Sequence, residues 1–381
     1  RLSAELAARF PRAEGVGGAA PGDGAPGDAD GWNQMPGVLT PLQLSYTMLD
    51  EYLRCPRCYY LRYVAGLTPP ETGKEFVGSV VHKALEEFVL EQQRFDAAGE
   101  GGTVDPGDLA GVERRLLQRG RALLLGQAAR SADGEARTGG AGRLADQDLR
   151  ESLVRIEMIL RNYVRRFHDP GAHVLEVEAD VRMPLEFGTD ECADAVASIN
   201  KPRRGKGAPP AAPALAGATL GAGHTLRGKM DRLDQITLDD GGAGFRVVDY
   251  KTGRDWNKLT SPEPDDLQLG IYALLLGHHL GVNGAGPGGG SVGRSDPTPP
   301  SGVRGFAEYW LLAADAGGAA QTDGTASAAP GGGIRGLRGV VALEALDTVK
   351  VRRTIARCVA GIRAGRFARG SQCRGHCDLL G

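Results

Sequence analysis

Two periods of apolar residues alternate along the chain. Val77, Val80, Val81, Leu85 and Phe88 recur three to four residues apart, which predicts a helix over Phe76–Phe95. Ser45 stands where an N-cap would open a shorter amphipathic helix over Ser45–Leu53. Further helical stretches run over 111–128, 149–167, 265–280 and 348–364, the second of them stopped by Asp169-Pro170. His173 to Leu185 instead alternates at every second residue, as a strand does. Leu226–Leu238 and Phe245–Tyr250 read as strands joined by the turn Asp239-Asp240-Gly241-Gly242. Gly305–Leu312 and Val340–Leu346 read as two more. Helices followed by strand, strand, strand, helix and strand describe an α/β or α+β core.

Composition sets the limits of that core. Glycine numbers 58 of 381 residues, about twice the average share, and collects in a few tracts. Residues 1–38 hold little apolar sequence beyond the first ten and read as linker or disorder. Low-complexity insertions are expected at about 187–223, 281–303 and 313–333, leaving one domain over 39–381. A formal charge of −2 excludes binding of nucleic acid through overall basicity, so such binding must rest on local patches. No run of about eighteen apolar residues occurs, so no transmembrane helix is expected. The chain opens on Arg1 rather than Met and stops at Gly381, and both ends are expected to continue in a longer protein.

The candidate chemistry lies in Val247-Val248-Asp249-Tyr250-Lys251-Thr252-Gly253. Residues two apart on a strand share a face, so Asp249 and Lys251 point one way and Val248 and Tyr250 the other. Asp231, on the preceding strand, reaches the same point across a hairpin. Two carboxylates with several waters suit Mg²⁺ (or Mn²⁺), which takes oxygen ligands. A surface Asp–Lys pair beside a turn is common, so the neighbouring segments decide what this one means.

Those segments are Gly228-Lys229-Met230-Asp231-Arg232-Leu233-Asp234 before the D-x-K and Gln268-Leu269-Gly270-Ile271-Tyr272 after it. In this order they resemble the PD-(D/E)xK nuclease superfamily, and within it the RecB/AddB-type nuclease domains of repair helicases and the CRISPR-associated exonucleases. The resemblance implies a restriction-endonuclease-like core: a mixed central β-sheet flanked by helices, with an N-terminal helical segment and glycine-rich insertions. It implies that Asp231 and Asp249 ligate the metal, that Lys251 is the catalytic lysine, and that Gln268 and Tyr272 face the site from one helix. It also makes His82, in Gly78-Ser79-Val80-Val81-His82, a further metal ligand, with Glu86 a turn later as its partner. Glu178 falls where the family often has a Glu; a solvent-facing strand carboxylate is an equal reading.

Cys192 and Cys358 are isolated and read as ordinary buried thiols. Cys55 and Cys58 form a C-x-x-C, and Cys373 and Cys377 a C-x-x-x-C at the far end, a usage that favours metal or redox chemistry over a disulfide framework. Ser45, Leu49, Tyr52, Cys55-Pro56 and Tyr59 are similar to the opening of the iron–sulfur members of the family. That likeness implies a [4Fe–4S] cluster that staples the two ends of the domain through Cys55, Cys373 and Cys377. The last pair is more usually C-x-x-C, and the family's final cysteine would fall beyond Gly381. Cys58 supplies the fourth thiol, or a residue past Gly381 does. Thiolates suit zinc as well as iron–sulfur.

The resulting expectation is a metal-dependent deoxyribonuclease, an exonuclease on single-stranded ends, cleaving without sequence preference in DNA repair and recombination. Arg57, Arg62, Arg114, Arg115, Arg119, Arg121, Arg165 and Arg166 are candidate phosphate contacts, and solvated helix faces are the default for most of them. No phosphate-binding Gly-x-x-x-x-Gly-Lys-Ser/Thr loop occurs, so the helicase partner is expected to be a separate subunit or domain. The setting is intracellular, at DNA: a bacterial cytoplasm, or a eukaryotic nucleus or organelle. The competing readings are a catalytically inactive DNA-binding or scaffold module of a repair complex, and a zinc-stapled structural domain with a chance D-x-K.

Overall fold

A computed structural model describes residues 37–67, 73–98, 105, 107–138, 146–200, 220–253, 259–281, 303–313, 337–373 and 377. The expected linker up to residue 36, most of the three expected insertions and the basic run 201–206 lie outside the described residues. In chain order the elements are β1 (Gln43–Leu44), α1 (Tyr46–Arg54), α2 (Pro56–Tyr59, continued by a π-helical turn, Tyr60–Val64), α3 (Gly73–Ala98), α4 (Leu109–Thr138) and α5 (Asp146–Arg166). Then follow β2 (His173–Leu185), α6 (Thr189–Asn200), β3 (His224–Thr237), β4 (Ala243–Lys251), α7 (Leu267–His279), β5 (Gly305–Leu311), β6 (Arg338–Ala342), a 3-10 turn (Leu343–Ala345) and α8 (Thr348–Arg363).

These elements divide between two compact units. The first comprises Glu71–Arg182 and Gly228–Val349. Its sheet is mixed: β3 pairs with β2 on one side and antiparallel with β4 on the other, β5 runs parallel to β4, and β6 antiparallel to β5. Gly305 starts β5 at φ +137°, where an added Cβ would overlap the Phe245 backbone, so only glycine allows β5 to begin flush against β4. α3, α4 and α5 pack on one another, and α7 packs on β5. The sheet is flanked by helices, the α/β arrangement expected.

One face of this sheet holds a charged centre under an aromatic cover. Asp234 is fully buried between the Nε of Arg232 and the Nη2 of Arg246, each at 2.6 Å. Register brings these together, because Arg232 lies opposite Val248 and Asp234 opposite Arg246. Trp310 covers them, with the Arg232, Arg246 and Arg338 guanidinium carbons 5.4, 5.6 and 4.8 Å from its ring. Just past the end of α5, Phe167 stacks on Trp310 at 5.2 Å, and the hydroxyl of Tyr163 in α5 receives the Arg232 Nη1 at 3.2 Å. Both carboxylate oxygens of Asp234 are thus satisfied, which is the condition for keeping a charge out of water.

The second unit comprises the chain up to Pro70, Met183–Arg227 and Lys350–Gly381. β1 lies parallel to the start of β3, Gln43 opposite Thr225 and Leu44 opposite Leu226. Buried His224 fixes the approach: its Nδ1 accepts from the Leu42 N–H at 2.9 Å, which leaves Nε2 as donor to the Leu220 carbonyl at 2.7 Å. Ser45 caps α1, as its position predicted, accepting from the Met48 N–H. Tyr52, Tyr59, Tyr60 and Phe367 form an aromatic nest, and the Tyr52 hydroxyl donates to the Arg366 carbonyl at 2.9 Å.

Two expectations need correction here. The stretch from 187, read as the start of an insertion, holds α6. Asp190 and Glu191 begin this helix, Glu191 accepts the Gly188 N–H at 2.9 Å, and Arg352 clamps Glu191 at 2.9 and 3.0 Å. The helix signal was masked by the Pro/Ala/Gly tract that follows it. The final strand also ends sooner than expected: β6 stops at Ala342 and Leu343–Ala345 turns.

Asp234→Ala would leave two buried guanidinium groups without their carboxylate. We expect it to cost ~3–5 kcal/mol, measured as a lowered midpoint of denaturant unfolding.

Candidate functional site

All residues singled out around the D-x-K lie in the first unit. The pleat of β4 sends Asp249 and Lys251 to the face opposite Tyr250, and parallel pairing sets Tyr309 beside Asp249. α7 lies over this face. Its N-cap Asp266 accepts the Leu269 N–H, and the Tyr309 hydroxyl donates to Asp266 at 2.8 Å. The helix start is therefore pinned to β5, and the next turn is presented to β4.

Gln268 and Tyr272, one turn apart on α7, both reach Asp249. The Tyr272 hydroxyl donates to Oδ1 at 2.7 Å and the Gln268 Nε2 donates to the same oxygen at 2.6 Å. The Gln268 Oε1 receives the Lys251 Nζ at 2.8 Å. Lys251 also stands 2.6 Å from Asp249 Oδ2 and 4.8 Å from the centre of the Tyr309 ring. Asp249, Gln268 and Tyr272 are buried, while Lys251 keeps 23% of its side chain exposed, so the ammonium is the member of this cluster most open to a ligand.

Asp231 sits just past the end of the β3–β4 ladder, whose last pair is Arg232 and Val248. Its Oδ2 takes the Tyr250 N–H at 2.6 Å, and its Oδ1 lies 3.2 Å from His82 Nδ1. The other ring nitrogen of His82 is 3.2 Å from the Tyr250 carbonyl oxygen. Glu178, from β2, brings Oε1 to 3.8 Å from the same imidazole, and Lys229 pairs with its other oxygen. His82, Glu178 and Asp231 thus each offer a ligand atom within 4.8 Å of the others. Glu178 holds this place with φ +54°, a left-handed backbone that costs a side-chain-bearing residue ~1–2 kcal/mol.

The electrostatics of the trio call for positive charge. Burial pushes the His82 imidazole toward neutrality, yet Asp231, Glu178 and Asp249 outweigh it and raise its pKa to about 10. Burial raises Asp231, and nearby Asp249 adds to this, against the pull of His82 and the Tyr250 N–H. Burial also raises Glu178, but His82 and Lys229 carry the balance downward. Glu178 Oε1 is buried without a hydrogen bond, and so is Asp249 Oδ2, whose neighbour is the Lys251 ammonium. An imidazole, two carboxylates and an orphaned buried oxygen fit a hard divalent cation with water in its remaining positions.

A family model for the PD-(D/E)XK nuclease superfamily matches residues 43–380. The chain belongs to that superfamily. Its members are generally nucleases, and they typically use divalent metals. Its mixed sheet and flanking helices agree with the restriction-endonuclease-like fold. A search of curated proteins returned no match.

Relative to the superfamily motifs read from the sequence, the structure gathers Asp249, Lys251, Gln268 and Tyr272 in one cluster and His82 with Asp231 in the other. Glu178, left open by the sequence, joins His82 and Asp231. Asp249 stands outside the 4.8 Å trio, turned to Gln268, Tyr272 and Lys251. Lys229 was missed, although its spacing of two from Asp231 places both on one face of β3. Glu86 pairs with Lys83 at 2.8 Å. Among the arginines, Arg62 pairs with Glu51, Arg114 with Asp108, Arg115 and Arg119 with Glu91, Arg121 with Glu157 and Arg165 with Glu113. They make paired helix faces, the default reading. Cys55, Cys58, Cys373 and Cys377 converge in the second unit, their sulfurs within 4.8 Å of one another, whereas Cys192 and Cys358 stand apart from them. His376 lies outside the described residues.

Mn²⁺ at a hundredfold excess over its dissociation constant should stabilise the chain by about 2.7 kcal/mol, seen as a rise in Tm. Asp231→Asn should remove the rise. An equal rise in the variant would place the cation elsewhere.

Proposed function

We propose that this chain is a Mg²⁺- or Mn²⁺-dependent deoxyribonuclease of the RecB/AddB type, with residues 39–381 acting as one nuclease domain. The observation that carries this reading is the convergence of His82, Glu178 and Asp231 beside the Asp249–Lys251 pair. A cation held by His82, Glu178 and Asp231 would acidify a bound water and neutralise charge on the scissile phosphate. The other residues act through position. Gln268 and Tyr272 hold Asp249 Oδ1, leaving its second oxygen beside Lys251 and turned from further hydrogen bonds. Lys251 Nζ, held between Asp249 and Gln268 and partly exposed, orients the attacking water or meets charge developing on the phosphate oxygens. Lys229, paired with Glu178 and half exposed, stands at the rim of the site.

DNA is the substrate this reading assigns. Cleavage without sequence preference belongs to the same reading. Single-stranded ends delivered by a helicase, in repair or recombination inside the cell, complete the reading. No described helix is long and apolar enough to cross a membrane.

Asp249→Ala and Lys251→Ala should each lower Mg²⁺- or Mn²⁺-dependent cleavage of single-stranded DNA by at least ~10²–10³-fold, with the circular dichroism spectrum unchanged. Undiminished cleavage by both variants would defeat the assignment. DNA binding by the unaltered chain, without cleavage under any divalent ion, would favour the scaffold reading instead.

A further inference from the structure

The four cysteines in the second unit hold their sulfurs closer together than the cluster that the family resemblance implies would place them. Cys55 Sγ lies 3.5 Å from Cys377 Sγ, and Cys58 Sγ lies 3.3 Å from Cys377 Sγ and 3.4 Å from Cys373 Sγ. All four sulfurs fall within 4.8 Å of one another. These separations exceed the ~2.05 Å of a disulfide, and none of the four cysteines is so bonded. A [4Fe–4S] cubane ties each thiolate to a different iron, with the sulfurs outside the cube and roughly 6 Å apart. A [2Fe–2S] rhomb likewise holds its two thiolate pairs apart by two irons. Four thiolates around one ion at ~2.3 Å stand only about 3.8 Å apart, close to the spacing here.

The surroundings hold the sulfurs at this spacing. Cys55 is the N-cap of α2 and Cys58 lies in its single turn, so helical geometry sets the first pair. Gly370 brings the C-terminal segment against them: a Cβ at this position would overlap the carbonyl of Arg54 and the Cα of Cys55. The Gly370 N–H also donates to Cys55 Sγ at 3.3 Å, a bond that stabilises a thiolate. Cys55, Cys58 and Cys377 are 2, 2 and 5% exposed, so the interior is shielded from water.

We propose that Cys55, Cys58, Cys373 and Cys377 bind one tetrahedral Zn²⁺ ion as a closed structural site, in place of an iron–sulfur cluster. Cys58 is then a full ligand, and no cysteine past Gly381 is needed. A closed tetrathiolate leaves no position for substrate, and zinc brings no redox chemistry, so the ion is a staple between residues 322 apart in the chain. The assignment stands whether or not the first unit is a nuclease.

The test is the metal content of the full chain, produced with both iron and zinc supplied and purified without oxygen, so that an iron–sulfur cluster would survive. One zinc per chain is expected, with no acid-labile sulfide, no absorption near 400 nm, and four sulfurs at about 2.3 Å by zinc-edge X-ray absorption. Iron with or without sulfide, or no bound metal, would overturn the proposal. Cys58→Ser should weaken zinc retention against a chelator by more than roughly tenfold, the loss that even an outer-shell change brings, while Cys192→Ser should retain it. Full retention by Cys58→Ser would also overturn it. If Cys58→Ser does not fold, the metal content of the unaltered chain decides.

Discussion

The two-residue alternation of β3 and β4 is the constraint from which the first unit follows. Over Asp231–Asp234 and Arg246–Lys251 it sorts charge onto opposite faces of one thin sheet. Arg232, Asp234 and Arg246 go to one face, where every charge is paired and Trp310 closes over them. Asp249 and Lys251 go to the other, where one oxygen of Asp249 makes no hydrogen bond. A slip of one residue in either strand would exchange these sets. The charged centre under Trp310 fixes the register, and the register places Asp249 beside Tyr309 and under Gln268. A structural ion network and a candidate active site are thus two sides of the same pairing.

The candidate site is destabilised locally in several ways at once. Asp231 and Glu178 bring carboxylate oxygens within 4.8 Å of each other, Glu178 sits in a left-handed conformation, and its Oε1 is without a hydrogen bond. Such features persist only where the surrounding structure over-determines them. Here the surroundings are the Asp266 cap with its Tyr309 bond, the two α7 donors on Asp249, and Lys229 opposite Glu178. The surrounding carboxylates raise the pKa of His82 against the effect of its burial.

The second unit solves a different problem. Its segments are short and come from three distant parts of the chain. Their hydrophobic contact is an aromatic nest around Phe367, supplemented by buried polar anchors, the His224 bridge and the Arg352–Glu191 clamp. Four thiols, from the first and the last of these segments, gather within 4.8 Å of one another.

By itself the sequence determined most of the element types, the order of those it found and the α/β class, because period-two and period-3.6 patterns and cap residues act locally. Ser45, the alternation of 173–185 and the turn at 239–242 needed no tertiary information. Short-range spacing also set Asp249 and Lys251 on one strand face, and Gln268 and Tyr272 one helical turn apart, as candidates for the site. The tertiary structure alone decided how these residues divide. Contacts between β2, α3 and β3 set Glu178 rather than Asp249 beside His82 and Asp231, and no spacing within one element encodes a distance between three. It decided that Glu86 serves Lys83, and that a helix precedes the tract at 201. It likewise brought Cys58 into the thiol set at single-ion spacing, because the approach of Gly370 to Arg54 depends on a backbone contact between residues more than three hundred apart.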